Sequence, residues 1–104
     1  MLPLRFPGGA ERDYLAMPRE AMREAGRQLC RVQQGNEPND WKPMATIGPG
    51  VRELRVWISD GSYRVVYYVR SGDCVLILHA FKKTSQATLK RHIELARKRL
   101  KEAK

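Results

Sequence analysis

The fold is decided by residues 54–78, which read LRVWISDGSYRVVYYVRSGDCVLIL. In the first part, apolar side chains alternate with Arg55 and Trp57, as they do in a half-buried strand. Asp60-Gly61 is a typical hairpin turn. The last four residues are apolar on both faces, which indicates a central, buried strand. Because turns this short connect antiparallel neighbours, the stretch predicts a three-stranded antiparallel meander over residues 54–58, 63–69 and 75–78.

Helices are predicted on both sides of this meander. Residues 18–34 carry apolar side chains at helical spacing, and Gly35 and Asn36 suit the end of that helix. A second helix is predicted over residues 85–103, with Ser85 as its N-cap. The remaining segments are predicted as a short edge strand within residues 2–6, one or two helical turns at residues 11–17 and a loop at residues 37–50. Together these elements predict a single α+β domain over residues 1–104.

The net charge indicates the kind of partner. The chain has 20 Lys and Arg against 11 Asp and Glu, a formal net charge of +9. Nine of the basic residues and only two acidic ones fall within residues 82–104. This excess favours a polyanionic partner, namely nucleic acid, an acidic protein or an anionic membrane.

A membrane partner is the weakest of these three. No apolar run approaches the roughly 20 residues of a spanning helix, and prolines interrupt the N-terminus too early for a signal peptide. We therefore expect a cytoplasmic protein. Cys30 and Cys74 are expected to be reduced thiols there, and with His79 and His92 they show no metal-ligand spacing. No metal and no cofactor are expected.

Six stretches resemble one family of small bacterial proteins. They are Arg31-Val-Gln-Gln-Gly35, Asp40-Trp-Lys-Pro-Met44, Gly48-Pro-Gly-Val-Arg-Glu-Leu-Arg55, Tyr63-Arg-Val-Val-Tyr67, His79-Ala-Phe-Lys-Lys-Thr84 and Ile93-Glu-Leu-Ala96. Their order and spacing are similar to the RelE/ParE toxin superfamily, and most closely to its HigB-like, phage-derived branch. The resemblance covers most of residues 18–100.

This resemblance implies a RelE-like fold and the toxin role of a type II toxin–antitoxin pair. Many such toxins cut mRNA in the ribosomal A site, with the site on a basic face of the sheet. The implied partners are mRNA on the ribosome and a cognate antitoxin, expected to be a helix-turn-helix protein. Operator DNA would be bound only through that antitoxin.

Metal-free RNA cleavage requires cations for the developing phosphorane charge and groups that move protons. The resemblance assigns phosphate contact to Arg64 and, more loosely, to Arg55. It places Lys82 and Lys83 at the basic end of the last strand, where a lysine with a lowered pKa could also exchange a proton. His79 is a candidate acid or base. The catalytic candidates are thus Arg64, Arg55, Lys82, Lys83 and His79.

Each candidate also has a purely structural interpretation. Arg64 could be a salt-bridged strand residue, Arg55 and both lysines could be ordinary surface charges, and His79 could be a satisfied core histidine. Further RNA contacts are predicted at Arg52, Tyr68, His92, Arg97 and Lys98, any of which could instead be solvated or packed. One stripe of the first predicted helix carries arginines at residues 19, 23, 27 and 31. This stripe could contact ribosomal RNA or could be a solvated face.

The sequence leaves three functions open. The first is a ribosome-dependent mRNA endonuclease, which the Lys and Arg cluster favours. The second is a toxin of the same fold without nuclease activity, acting on DNA gyrase or on ribosome assembly. RelE-like sequences often carry a tyrosine shortly after the last strand, and this chain has none after Tyr68, which favours the second. The third is a module that binds nucleic acid without chemistry.

Overall fold

A computed structural model of the chain describes residues 1–103. Five strands and three helices follow one another as β1 (Leu4–Arg5), α1 (Ala10–Leu15), α2 (Arg19–Gln33), β2 (Trp41–Pro43), β3 (Val51–Ile58), β4 (Gly61–Arg70), β5 (Cys74–Lys82) and α3 (Lys90–Ala103). This is the predicted α+β class. None of the helices within the described residues combines the length and the apolar character needed to cross a membrane.

The strands form one mixed sheet in the order β1-β5-β4-β3-β2. Strands β2 to β5 are an antiparallel meander, and β1 pairs in parallel with β5, so both the predicted meander and the N-terminal edge strand are confirmed. The expectation that residues 75–78 form the central strand is wrong, because β4 occupies the centre. Strand β5 is nevertheless buried along almost its whole length, since helices cover it on both sides.

Strand β2 lies inside the segment that was predicted as a loop. Trp41–Pro43 pairs with the start of β3, placing Trp41 opposite Leu54 and Pro43 opposite Arg52. A three-residue strand that ends in proline is too short to show alternation. Proline is also tolerated only where no ladder hydrogen bond is needed, as on this edge.

Each face of the sheet is covered by a different helix. On the face called here the α2 face, buried side chains of β3, β4 and β5 pack against Ala21, Ala25 and Leu29. On the opposite face, called the α3 face, buried side chains pack against Ala96 and Leu100. Successive residues of a strand point to opposite faces, so the strand register determines which side chains share a surface.

A β-bulge in β5 changes that register. Val66 pairs with His79 while its neighbour Tyr67 pairs with Ile77, so Leu78 is an extra residue on β5. Such a bulge shifts the alternation of the strand by one position. Because of this shift, the residues after the bulge that lie on the α3 face are His79, Phe81 and Lys83.

Helix α3 begins later than the sequence predicted. Its first residue is Lys90 rather than Ser85, and the hydroxyl of Ser85 bonds to the carbonyl oxygen of Ala87 instead of capping the helix. The side chain of Thr88 contacts the sheet, where its hydroxyl donates to the carboxylate of Glu53 at 2.7 Å. Residues 85–89 therefore run as an irregular segment along the end of the sheet.

The end of α2 follows the sequence prediction. The amide of Gly35 donates to Val32 at 3.0 Å and that of Asn36 donates to Arg31 at 2.9 Å. Gly35 has a φ of 89°, in the left-handed region that glycine adopts without strain. This cap turns the chain back toward β2.

Candidate nucleic-acid interface

Part of the α3 face is not covered by α3, and four cations gather there around one carboxylate. Arg55 of β3 lies directly opposite Arg64 of β4, and the amide of Lys83 donates to the carbonyl oxygen of Ser62 at 2.8 Å. Lys42 of β2 is paired in register with Glu53. We call this group the cationic hollow: Lys42, Arg55, Arg64 and Lys83 around Glu53.

Glu53 lies at the bottom of the hollow and is fully buried. One carboxylate oxygen accepts the hydroxyl of Thr88, and the other lies 3.3 Å from Nε of Arg64 and 3.9 Å from Nζ of Lys42. Nζ of Lys83 donates in turn to Thr88 at 3.1 Å. A buried carboxylate is stable only with such partners, so Glu53 holds Arg64, Lys42 and, through Thr88, Lys83 in place.

The sequence did not identify Glu53 as part of the site. The available signal was the alternation of β3, which puts Glu53 on the same face as Arg55 and opposite to that of Leu54. Glu53 and Arg55 lie two residues apart on one face of β3. When a neighbouring strand also carries basic residues on that face, this spacing indicates a cluster of charges.

Arg64 has features of both interpretations that the sequence left open, a salt-bridged strand residue and a phosphate-binding residue. It is only 8% exposed and is paired with Glu53, as expected of a structural strand arginine. It also lines an open depression of about 380 Å³ together with Trp57, Ser62 and Lys83. Burial lowers the pKa of the Arg64 guanidinium, and the charge of Glu53 acts in the opposite direction. Arg64 is therefore a partly desolvated cation at the wall of an accessible site.

The pKa of Lys83 is lowered, mainly by burial. Glu53 opposes this shift, while the charges of Arg64, Lys42 and Arg55 add to it. The sequence predicts a proton-exchange role for a lysine in this region on the condition that its pKa is lowered. A desolvated lysine among other cations can stabilise phosphate charge and gives up a proton more readily than a solvated one.

Arg55 is attached to the outer side of the hollow through Asp40. Its Nη1 lies 3.7 Å from one oxygen of Asp40, and Nε1 of Trp57 donates to the other oxygen at 2.7 Å. Two carboxylates, those of Asp40 and Glu53, lie among four cations, so the hollow has a positive charge balance. An anion is the ligand that such a balance favours.

His79 is a buried residue within a chain of polar contacts. Its Nδ1 lies 3.2 Å from Asp13, which also accepts from Arg99 at 2.7 Å, and its Nε2 lies 2.7 Å from Nδ1 of His92. A carboxylate can only accept, so Nδ1 of His79 donates to Asp13 and Nε2 accepts from His92. Burial and the charge of His92 lower the pKa of His79 to about 4. His79 is thus a neutral, satisfied histidine that orients its neighbour.

His92 connects this chain of contacts to the hollow. Its ring stacks on Phe81 at 3.9 Å between centroids, and Phe81 lies opposite Arg64 in the sheet. Burial and then the charge of Arg91 lower the pKa of His92, and the charge of Lys83 contributes in the same direction. His92 is half-buried at the side of the hollow nearest α3.

Other predicted site residues lie elsewhere. Lys82 is exposed on the α2 face, opposite Tyr63, because the bulge in β5 turns Lys83 and not Lys82 toward the hollow. The two lysines therefore lie on opposite faces of the sheet, and only Lys83 faces the hollow. Arg52 also lies on the α2 face, where it pairs with Glu37 at 3.5 Å and stacks over Trp41 at 4.0 Å.

Tyr68 lies on the α3 face, opposite Leu76 and against the core cluster under α3, at the far end of β4 from Arg64. Arg97 and Lys98 are exposed on α3, and Arg97 donates to the carbonyl oxygen of Thr46. The arginines at positions 19, 23, 27 and 31 are all exposed on α2. The exposed basic residues are therefore divided among several regions, and the hollow differs from the exposed arginines of α2 in having a buried, mutually supporting set of charges.

The described part of the chain contains no group of three or more His, Cys, Asp or Glu residues that could hold a metal ion. Residues 12–101 match the family model described as phage derived protein Gp49-like (DUF891). No curated protein matches the chain.

Proposed function

Because this chain belongs to the phage-derived Gp49-like family, which is associated with RelE-like toxins, we propose that it is the toxin of a type II toxin–antitoxin pair. Its proposed activity is cleavage of mRNA on the ribosome, without a metal, at the cationic hollow. The observation that carries this proposal is the convergence of Arg55, Arg64 and Lys83 on one open part of the sheet. The resemblance of residues 18–100 to HigB-like toxins supports the same assignment.

In this proposal each cation has a distinct role. Arg64 and Arg55 bind the non-bridging oxygens of the phosphate and stabilise the charge that develops on them. Lys83, whose pKa burial lowers, takes the proton of the 2′-hydroxyl as its oxygen attacks the adjacent phosphorus. The bond from phosphorus to the 5′-oxygen breaks, and that oxygen leaves with a proton from solvent. His92 is a second candidate for proton transfer, because His79 and Asp13 orient its ring.

A toxin of the same fold without nuclease activity is the second candidate function. Two observations favour it: no tyrosine follows Tyr68 in the sequence, and the Arg64 guanidinium is already paired with Glu53. Such a protein would bind its target through the same hollow and leave mRNA intact. A third candidate binds nucleic acid alone, and it would show salt-dependent binding without toxicity.

The neighbouring lysines Lys83 and Lys82 provide a matched test of the nuclease. Lys83→Ala removes a cation from the hollow, whereas Lys82→Ala removes the same side chain from the opposite face. We expect induced wild-type protein to arrest growth and to create new mRNA 5′ ends at codon boundaries. Lys83→Ala should reduce the frequency of these ends about 100-fold, in the range typical for loss of a proton-transfer group. Lys82→Ala should cut like the wild type.

Growth arrest with unchanged mRNA ends would refute the nuclease and support the second candidate function. Equal loss in the Lys82 and Lys83 variants would show that net charge, not the hollow, is responsible. A gene for a small helix-turn-helix protein next to the gene for this chain would support the proposed antitoxin partner.

A further inference from the structure

Trp57 is an unusually exposed aromatic residue at the edge of the cationic hollow. It keeps 61% of its surface accessible, although burying an aromatic side chain of this size is strongly favourable. It lies near the end of β3, opposite Ser62. Packing of the core does not require this position to be aromatic, so its exposed surface is available for another molecule.

The indole ring is nevertheless held in one orientation. Its Nε1 donates to Asp40 at 2.7 Å, and Asp40 also lies 3.7 Å from Arg55. The guanidinium carbon of Arg64 lies 5.3 Å from the centre of the ring. An aromatic side chain that is fixed before binding loses little conformational freedom when a ligand contacts it.

The ring lines the same depression as the cations. Trp57, Ser62, Arg64 and Lys83 form its walls together with residues 84–86, and its volume is about 380 Å³. Pockets for small ligands measure roughly 300–1,000 Å³, so one nucleotide is a suitable occupant. The depression thus offers a flat apolar surface and, beside it, groups that bind phosphate.

We propose that Trp57 is a stacking platform for a base of single-stranded RNA, whose phosphate lies against Arg64 and Lys83. This inference rests on the proposed function, and it adds a base-binding subsite to the phosphate-binding hollow. Every base has an aromatic face, so the platform contributes affinity with little preference for sequence. The surrounding cations and the net charge of +9 favour RNA over a protein as the occupant.

The platform predicts a base-dependent loss of affinity in a Trp57 variant. Binding of a labelled RNA hexamer to purified protein is measured by fluorescence anisotropy, beside a hexamer of abasic ribose phosphates. Trp57→Ala should weaken binding of the ordinary hexamer by about 10- to 100-fold and leave binding of the abasic hexamer unchanged. Trp57→Phe should retain most of the affinity. Leu15→Ala is the control, because Leu15 is also 61% exposed but lies on α1.

Stacking also has a spectroscopic signature. In a Trp41→Phe protein, Trp57 is the remaining tryptophan, so its fluorescence reports the platform alone. We expect the ordinary hexamer to quench this fluorescence and the abasic hexamer to leave it nearly unchanged.

Several results would overturn the platform. One is an equal loss of affinity for both hexamers in Trp57→Ala, and another is an unchanged affinity of that variant for the ordinary hexamer. A third is a wild type that binds neither hexamer, and this result would assign the indole to a protein partner. The proposed nuclease is tested separately by mRNA 5′ ends. New ends without a base-dependent Trp57 effect would remove the platform and retain the nuclease. Base-dependent binding without new mRNA ends would retain the platform and remove the nuclease.

Discussion

Arg64→Gln is expected to lower the free energy of unfolding by about 3–5 kcal/mol, because it leaves the buried carboxylate of Glu53 without its guanidinium partner. A domain of this kind has a total stability of roughly 5–15 kcal/mol, so the single variant should lose a large fraction of it. Urea unfolding followed by circular dichroism measures the difference. Loss of toxicity in an Arg64 variant alone would therefore not identify a catalytic residue.

A double variant separates folding from function. Arg64→Gln combined with Glu53→Gln removes both buried charges, and it should recover most of the lost stability while remaining unable to cut mRNA. Arg55→Gln is the control, since its pair with Asp40 is partly exposed and should contribute less than about 1 kcal/mol. If Arg64→Gln costs no more than Arg55→Gln, Glu53 does not depend on Arg64 and our description of the hollow is incorrect.

The second large effect is a dependence of stability on pH that arises from His79. Burial and the charge of His92 lower its folded-state pKa to about 4, from an unfolded value of 6.5. Between these values the unfolded chain binds a proton that the folded protein excludes, so stability rises with pH across this window. The contribution is fully present above pH 6.5 and is lost as the pH falls toward 4. It amounts to about 3 kcal/mol, because one pKa unit corresponds to about 1.4 kcal/mol.

The measurement is urea unfolding of wild type and His79→Gln at a series of pH values. The wild type should be the more stable protein at pH 7, and its advantage should shrink by about 3 kcal/mol as the pH falls to 4. The carboxyl groups titrate in both proteins, so their contribution largely cancels in the difference. A difference that stays constant with pH would mean that the pKa of His79 is the same in the folded and the unfolded protein.

Residues 54–78 predicted most of the fold because their pattern is local. Alternation and short turns specify antiparallel neighbours, and the structure has the predicted meander. Strand β2 left no such signal, since three residues ending in Pro43 give no periodicity. The start of α3 was predicted five residues early because Thr88 bonds to Glu53, which is 35 positions away in the sequence.

For the candidate site, too, local sequence patterns predicted what lies together, whereas contacts between distant residues could not be predicted. Arg55 and Arg64 were placed together correctly, because they share a face of adjacent strands in a hairpin. Lys82 and Lys83 could not be distinguished, because their orientation depends on the bulge at Leu78. A bulge in a continuous apolar stretch leaves no local signal, since every residue around it is buried. Glu53 was missed for a similar reason, as its partners lie on other strands and in the segment before α3.

The bulge therefore determines which lysine can act in the site. Without Leu78 as an extra residue, alternation from Leu76 would place Lys82 on the α3 face and Lys83 on the other. The proposed phosphate-binding set consequently depends on a backbone feature of β5 as much as on the identity of its basic residues.

We propose that RNA binds in the cationic hollow and not on the other basic surfaces of the protein. Nuclear magnetic resonance of the ¹⁵N-labelled protein, titrated with a short single-stranded RNA, tests this claim residue by residue. The largest shifts should occur at Arg55, Arg64, Lys83 and the indole NH of Trp57. Shifts concentrated instead on the arginines of α2 at positions 19, 23, 27 and 31 would contradict the claim.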